Sequence, residues 1–498
     1  MLLLLYFFLT VVGFVLYVKW VQTYWQRKGL PIVKYDFFFG HEKDLITNKI
    51  SIGDTSLNIY REIKRLYPDT KHSGIYFFLR KIYLPLAPDL IKQILLKDFN
   101  YFLSHGTYHS PEDILSMNLF NLYGNDWRHL RVKLTPTFTS GKMKMMFDIF
   151  QDKTEGLIKS ITPYLASNAG PVSIKEKLQR YTIEIISSCA FGMESKAMEE
   201  QDNDFATYGQ KVTKSNVARF LLKETMPWKL LAQLGFRDFG RDTYKFFIRL
   251  VKENIKFRES NNVQRKDLMQ LLMQLKEKYH IDSKEGLSEN DIIAQCFLFF
   301  FAGFETSSTT MTFTLLLLAQ HQDIQDKLRR EIVEVLDKHQ GKLSYEALMD
   351  MKYLEQVIHE ALRLFPPVPI LPRECTKDYQ VPGTDMIVEK GTTVHVPIWG
   401  IHMDPIYYPN PEVFDPDRFS DENITKRPDF TFLPFGEGPR MCIGLRFGML
   451  QTKLGITSLL RNFNFTLNKK THLPIVMETG NILLAPKGNV WLDVHPTA

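Results

Sequence analysis

The chain has 498 residues, with 62 Lys and Arg against 56 Asp and Glu for a formal charge of +6, and 44% of it is hydrophobic, including 37 Phe and 21 Tyr. That excludes a disordered, collagen-like or low-complexity chain, and charge this dilute, with no long basic run, argues against nucleic acid as a partner. The four cysteines, Cys189, Cys296, Cys375 and Cys442, are too few and too scattered for a disulfide scaffold or a CxxC zinc site, which points to reducing surroundings.

Residues Met1 to Val18 carry no charged side chain. Through Tyr24 the segment reaches roughly 36 Å as a helix, enough for a hydrocarbon core of about 30 Å. It lacks a basic leading region, and Tyr17, Trp20, Tyr24 and Trp25 form an interfacial aromatic belt where a signal peptide would have a small-residue cleavage site. An uncleaved anchor is expected. Lys19, Arg27 and Lys28 come after the span, so the positive-inside rule leaves the rest of the chain in the cytosol. No Gly/Ser- or Pro-rich linker divides the remaining residues. The expected organisation is an anchor at 1–24, a linker at 25–34 and one domain at 35–498.

Gly74 to Pro85, aromatic and β-branched around Arg80-Lys81, predicts a two-stranded hairpin. Helical periodicity then dominates, with helices expected at Pro88–Leu96, Lys142–Ile161, Ile174–Cys189, Gly240–Glu259 and His321–His339. Ser288 and Asp291 form a capping box ahead of an apolar, proline-free run from Ile292 to Ala319. Glu305 and its hydroxylic neighbours sit in the middle of that run, so a long core helix is preferred to a second membrane span. Beyond Pro366 short strands are expected, as at Thr392–Trp399 and Val490–Val494. The fold class is mainly α with small β-sheets, plus one N-terminal transmembrane helix.

The strongest chemical signal is Phe435-Gly436-Glu437-Gly438-Pro439-Arg440-Met441-Cys442-Ile443-Gly444. It is not a dinucleotide loop, because Met441 stands where a third glycine is needed and no βαβ pattern surrounds it. A cysteine in a glycine-rich loop, just before a helix starting near Leu445, suits a thiolate-bound metal. The glycines allow close approach to a flat ligand, and the helix N-terminus favours the thiolate.

This loop resembles the heme-binding loop of the cytochrome P450 family, and other marks of that family occur in order over about residues 30 to 495. Trp127-x-x-x-Arg131, Ala302-Gly303-Phe304-Glu305-Thr306, Glu360-x-x-Arg363 and Phe414-Asp415-Pro416-Asp417-Arg418-Phe419 resemble its C-helix, distal-helix, K-helix and arginine segments. Phe138 to Lys142 and Arg373 to Cys375 look most like its insect microsomal, xenobiotic-metabolising group.

The resemblance implies the P450 fold and heme b, with Cys442 as the axial thiolate. Trp127, Arg131, Arg373 and Arg440 would lie at the propionates, and Phe435 would open the loop. His105 departs from the arginine of many relatives. Glu305 and Thr306 are the expected proton relay, with Gly303 leaving room beside the helix; back-bonding by Thr306 is the competing role. Glu360, Arg363 and Arg418 are expected to form a buried structural ion network. Phe297, Phe299, Phe300, Phe301 and Phe304 fit either a lipophilic pocket or the core, and Phe220 to Leu234 either a membrane-dipping segment or an ordinary hairpin. His105 and His109 lack a zincin glutamate, so no zinc site is expected. Only Pro31 stands for the family's proline cluster after the anchor, which implies a looser orientation on the membrane.

The activity so implied is monooxygenation of lipophilic small molecules at the endoplasmic reticulum membrane. Electrons would come from NADPH through NADPH–cytochrome P450 reductase, with cytochrome b5 as a further donor, since the chain carries no flavin or nicotinamide fingerprint. Arg128, Lys133, Lys142, Arg446 and Lys453 are the candidate docking cations. The alternatives are a heme-thiolate isomerase or lyase, whose relatives commonly lack the acid–alcohol pair, and a heme protein that only sequesters hydrophobic ligands.

Overall fold

The computed structural model describes residues 1–166, 169–214, 218–219, 222–223, 226–281 and 286–497. The chain forms two compact units, each assembled from separate stretches of sequence. Unit 1 holds Met1–Thr107, Val368–Pro411 and Arg427–Met441, and unit 2 holds Tyr108–Pro367, Glu412–Lys426 and Cys442–Ala498.

In unit 1 the N-terminal run is one helix, Leu2–Gln22, long and apolar enough to cross a membrane. The hairpin pairs His72–Phe77 with Arg80–Pro85. Its turn falls at Phe78-Leu79, with Phe78 in the left-handed region at φ 53°, two residues before the expected site. Arg80 and Lys81 instead belong to the second strand. A four-stranded sheet forms when Thr393–Val396 joins Arg80–Pro85 in parallel and Leu371–Glu374 pairs antiparallel with it. Residues 25–34, expected to be a linker, are tied to this sheet. The Trp25 indole is fully buried and donates to Ile75 O (3.0 Å), and Ser73 Oγ donates to Pro31 O (2.7 Å). Gly74 makes the fit possible, since a Cβ there would lie 2.2 Å from Trp25 Cγ.

Unit 2 is built around the central helix Glu289–Gln320, which starts at the expected capping box. Asp291 N donates to Ser288 Oγ (3.2 Å), and Ser288 N donates to Asp291 Oδ2 (2.9 Å). By composition this helix also qualifies as a membrane span. However, 72% of its apolar window is buried within the protein, against 6% for Leu2–Gln22, so its greasiness is that of a core element. The helices Ile174–Ile186, Leu445–Asn462 and Lys352–Leu364 pack on it. A three-stranded sheet of Val172–Ser173, Trp491–Pro496 and Phe463–Leu467 completes the unit. The observed helices Ser140–Ile161, Arg241–Asn261 and Gln322–Lys338 start and stop within two residues of the periodicity reading. Ile174–Ile186 ends earlier, passing into a π turn at Ser187–Phe191.

Candidate active site

In unit 1 the glycine-rich loop is shaped by backbone that only glycine adopts freely. Gly436 and Gly438 have φ of +66° and +75°, and a Cβ on Gly438 would lie 2.0 Å from Leu95 O. Phe435 is half-buried before this turn. Arg440 is buried; its Nε and Nη2 donate to Leu103 O (3.0 and 2.6 Å), and its Nη1 donates to His105 Nδ1 (3.2 Å). The departure at 105 therefore has a definite place, because the imidazole accepts from the loop arginine.

Arg373 is the most informative side chain of unit 1. It is fully buried on the strand Leu371–Glu374, where Nη1 donates to Pro372 O (2.8 Å) while Nε and Nη2 have no partner. Burial pushes the guanidinium down to about 9, so it remains charged at neutral pH. A buried, charged fork with unspent donors calls for a planar anion. A carboxylate such as a heme propionate fits that requirement.

In unit 2 Cys442 precedes the helix Leu445–Asn462 and is exposed, whereas Cys189, Cys296 and Cys375 are buried. Burial above all, with nearby carboxylates adding to it, pushes the Cys375 thiol up to about 12 and those of Cys189 and Cys296 higher still. Dense surroundings also push the Cys442 thiol up, but the Gly444 amide and the Arg131 guanidinium both pull it down. A thiol with accessible surface, an amide donor and a nearby cation is equipped to bind metal as the thiolate. Arg131 and the buried Trp127 lie on the helix Gly124–Leu134.

The central helix opens at one place. Ala302 is exposed and Thr306 half-buried, in a helix whose remaining residues from Phe304 to Ala319 are buried. Thr306 Oγ1 donates to Ala302 O (2.6 Å), so the back-bond weighed from the sequence is formed and the hydroxyl oxygen keeps its acceptor capacity. Glu305 is buried and accepts from Gln179 Nε2 (2.9 Å) on the helix Ile174–Ile186. Burial pushes its carboxyl up, opposed by Lys175 and by the Gln179 bond. Gly303 has a packing role, since a Cβ there would approach Ile186 Cδ1 to 2.9 Å. Its carbonyl accepts from Gln451 Nε2 (2.9 Å), which ties the helix after Cys442 to the central helix one turn from Thr306. Gln179, Lys175 and Gln451 were invisible in the sequence because their partners lie more than a hundred residues away.

The central-helix phenylalanines are mainly core. Phe300 packs on Phe191, Phe205 and Phe247, and Phe304 lies 3.2 Å from where a Gly209 Cβ would stand. Phe299 contacts Phe138, and Phe301 remains half-buried beside Phe239. His109 contacts Tyr123 and Trp228. Residues 220, 221, 224 and 225 of the expected membrane-dipping segment lie outside the described residues; beyond them Trp228–Gln233 is helical and Leu234 is exposed.

The structure brings Glu360, Arg363 and Arg418 together. Arg363 Nε and Nη2 each donate to a Glu360 oxygen at 2.7 Å, and both side chains are fully buried. Arg418 Nε stands 3.4 Å from Glu360 Oε1, which also accepts from Asp415 N (3.0 Å). Lys453 does not belong with the docking cations: it is buried and paired with Glu355 Oε2 (2.8 Å). Lys133 donates to Gly286 O (2.7 Å), while Arg128 and Arg446 are exposed.

A family model described as Cytochrome P450 matches residues 45–492. Among curated proteins the chain is 39% identical to Probable cytochrome P450 6a13 of Drosophila melanogaster, covering 97% of both chains. It is 38% identical to Cytochrome P450 6k1 of Blattella germanica, covering 94% of this chain and 92% of that one. It is also 37% identical to Cytochrome P450 6A1 of Musca domestica, covering 96% and 95%. Glycine-loop thiol, unspent buried arginine and end-to-end similarity to insect relatives agree: the chain belongs to the cytochrome P450 family and is a heme-thiolate monooxygenase.

Proposed function

We propose that this enzyme is anchored in the endoplasmic reticulum membrane by Leu2–Gln22, faces the cytosol, and oxygenates lipophilic small molecules, xenobiotics such as plant toxins or insecticides foremost and endogenous lipids or hormones second. Electrons come from NADPH through NADPH–cytochrome P450 reductase, with cytochrome b5 as an additional donor. The observation that carries the cofactor assignment is the presence in one chain of an accessible Cys442 thiol and a buried Arg373 whose donors await an anion. Thiolate-ligated heme, when bound, would supply the oxygen-activating chemistry.

The chain's own residues hold the group and supply protons. Cys442 would ligate the iron; burial raises its thiol pKa, and the Gly444 amide and Arg131 oppose that rise and favour the thiolate. Arg373, Arg440, Arg131 and Trp127 are the residues that would hold the heme carboxylates. On the central helix Thr306 commits its proton to Ala302 O and leaves its hydroxyl oxygen as an acceptor at the helix opening. Glu305 is a proton store beside it: burial favours its neutral form, and Gln179 and Lys175 favour release. Arg128, Lys142 and Arg446 are the remaining cations for reductase docking.

The carbon monoxide difference spectrum of dithionite-reduced membranes tests the assignment. A strongly red-shifted Soret band is expected, and it disappears in Cys442→Ala; heme without that band would withdraw the mechanism. Thr306→Ala is expected to divert electrons to hydrogen peroxide, read as NADPH consumed without product.

A further inference from the structure

Buried amides seldom leave an acceptor idle, and one in unit 2 does so beside the relay residues. Gln451, fully buried on the helix Leu445–Asn462, donates from Nε2 to Gly303 O of the central helix (2.9 Å), while its Oε1 meets no partner among the described residues. The two helices are close-packed around that bond. A Cβ on Gly448 would lie 3.6 Å from Ser307 Oγ, and one on Gly455 would lie 2.7 Å from Met311 Sδ. Gly303 itself has no room for a side chain, since a Cβ there would approach Ile186 Cδ1 to 2.9 Å. Its backbone is therefore fixed by a steric contact with one helix and a hydrogen bond from another. Thr306 spends its proton on Ala302 O (2.6 Å), the carbonyl next in sequence to the one that Gln451 holds.

We infer that Gln451 is a positioning residue for the proton relay: its amide fixes the central helix at Ala302 and Gly303, and through Ala302 O it fixes where the Thr306 oxygen stands as an acceptor. This role rests on Thr306 serving the relay of the proposed function. Packing alone does not account for an amide at 451. Gly303 O is a mid-helix carbonyl that the helix itself supplies with a donor. A buried acceptor without a donor costs more than one neutral hydrogen bond returns, so for stability an apolar side chain of the same length would serve better. What the amide adds is direction, and it comes from the helix that Cys442 precedes. One side chain thus links the helix that follows the thiol to the helix that carries Glu305 and Thr306.

Gln451→Met keeps the length of the side chain and removes the hydrogen bond. In the full-length holoprotein, hydrogen exchange read by mass spectrometry is expected to quicken about threefold to tenfold at the amides of residues 303–310, the worth of one hydrogen bond. The thermal midpoint is expected to stay level or rise, which a structural role does not allow. With NADPH–cytochrome P450 reductase, and 7-ethoxycoumarin as the lipophilic probe, the hydrogen peroxide formed per NADPH should rise by a similar factor. Gln451→Leu repeats the test without sulfur. Unchanged exchange, or an unchanged peroxide yield while Thr306→Ala raises it, overturns the positioning role and leaves the relay. An unchanged peroxide yield in Thr306→Ala withdraws the relay and this role with it. A lowered midpoint or loss of folded protein in both Gln451 variants makes the residue structural and overturns the positioning role alone.

Discussion

Arg363 and Arg373 are the same residue type, equally buried, and opposite in their partners. Arg363, in unit 2, meets Glu360 through two bonds of 2.7 Å and also donates to Val413 O (3.2 Å). Arg373, in unit 1, has one backbone acceptor and two donor atoms with nothing to meet. A buried cation is tolerable only with an anion at hand, so the two sites differ in who supplies it. For Arg363 the chain does, which makes the pair part of the fold. For Arg373 a ligand must, which makes the residue part of the function at a cost to the empty protein.

The largest effect expected from this contrast is on the satisfied pair. Glu360→Ala strands Arg363 and withdraws an acceptor from Arg418 and Asp415, and should lower stability by about 3–5 kcal/mol, read as a collapse of folded yield and thermal midpoint. Unchanged stability would place the network outside the fold's requirements. A half-satisfied anion gives the next effect. Asp113 is fully buried; its Oδ2 accepts from Asp238 N (2.9 Å) and its Oδ1 has no partner. Burial raises its pKa from 3.8 to about 6, against which Arg237 pulls. The folded state therefore binds the extra proton between those values, and stability should fall by roughly 2–3 kcal/mol as pH rises through that window. Asp113→Asn should remove the fall, and a denaturation series from pH 4 to pH 7 in both proteins checks it.

The smallest effect sharpens the comparison most, because its sign is reversed. Arg373→Leu removes an uncompensated buried charge and should raise the stability of heme-free protein by about 1 kcal/mol, while heme is lost faster from the loaded form. Apoprotein unfolding and heme transfer to apomyoglobin measure the two halves. A destabilised apoprotein would mean that Arg373 is structural after all.

Sequence reading runs out where partners are distant in the chain. Glu360 and Arg363 are three residues apart on one helix, so their pairing was legible from spacing. The capping box at Ser288 and Asp291, the strands after Pro366 and the glycines flanking Cys442 were legible for the same reason: their physics is local. The hairpin turn was misplaced by two residues because Arg80-Lys81 has the polarity of a turn, whereas the chain turns on Phe78 and keeps those charges on a half-exposed strand. Lys453 read as a surface cation from helix phase and proved to be buried against Glu355.

By itself the sequence determined the helical class, the apolar N-terminal span, the cysteine loop and the order of the motifs, because each depends on neighbours within a turn or two of chain. Only the tertiary structure decided which groups are left unsatisfied. It set Glu305 against Gln179, stranded two donor atoms of Arg373, and held Phe37 and Phe38 in water beside the N-terminal helix. Burial and partnering are sums over residues far apart in the chain, and those sums exist only once the chain has folded.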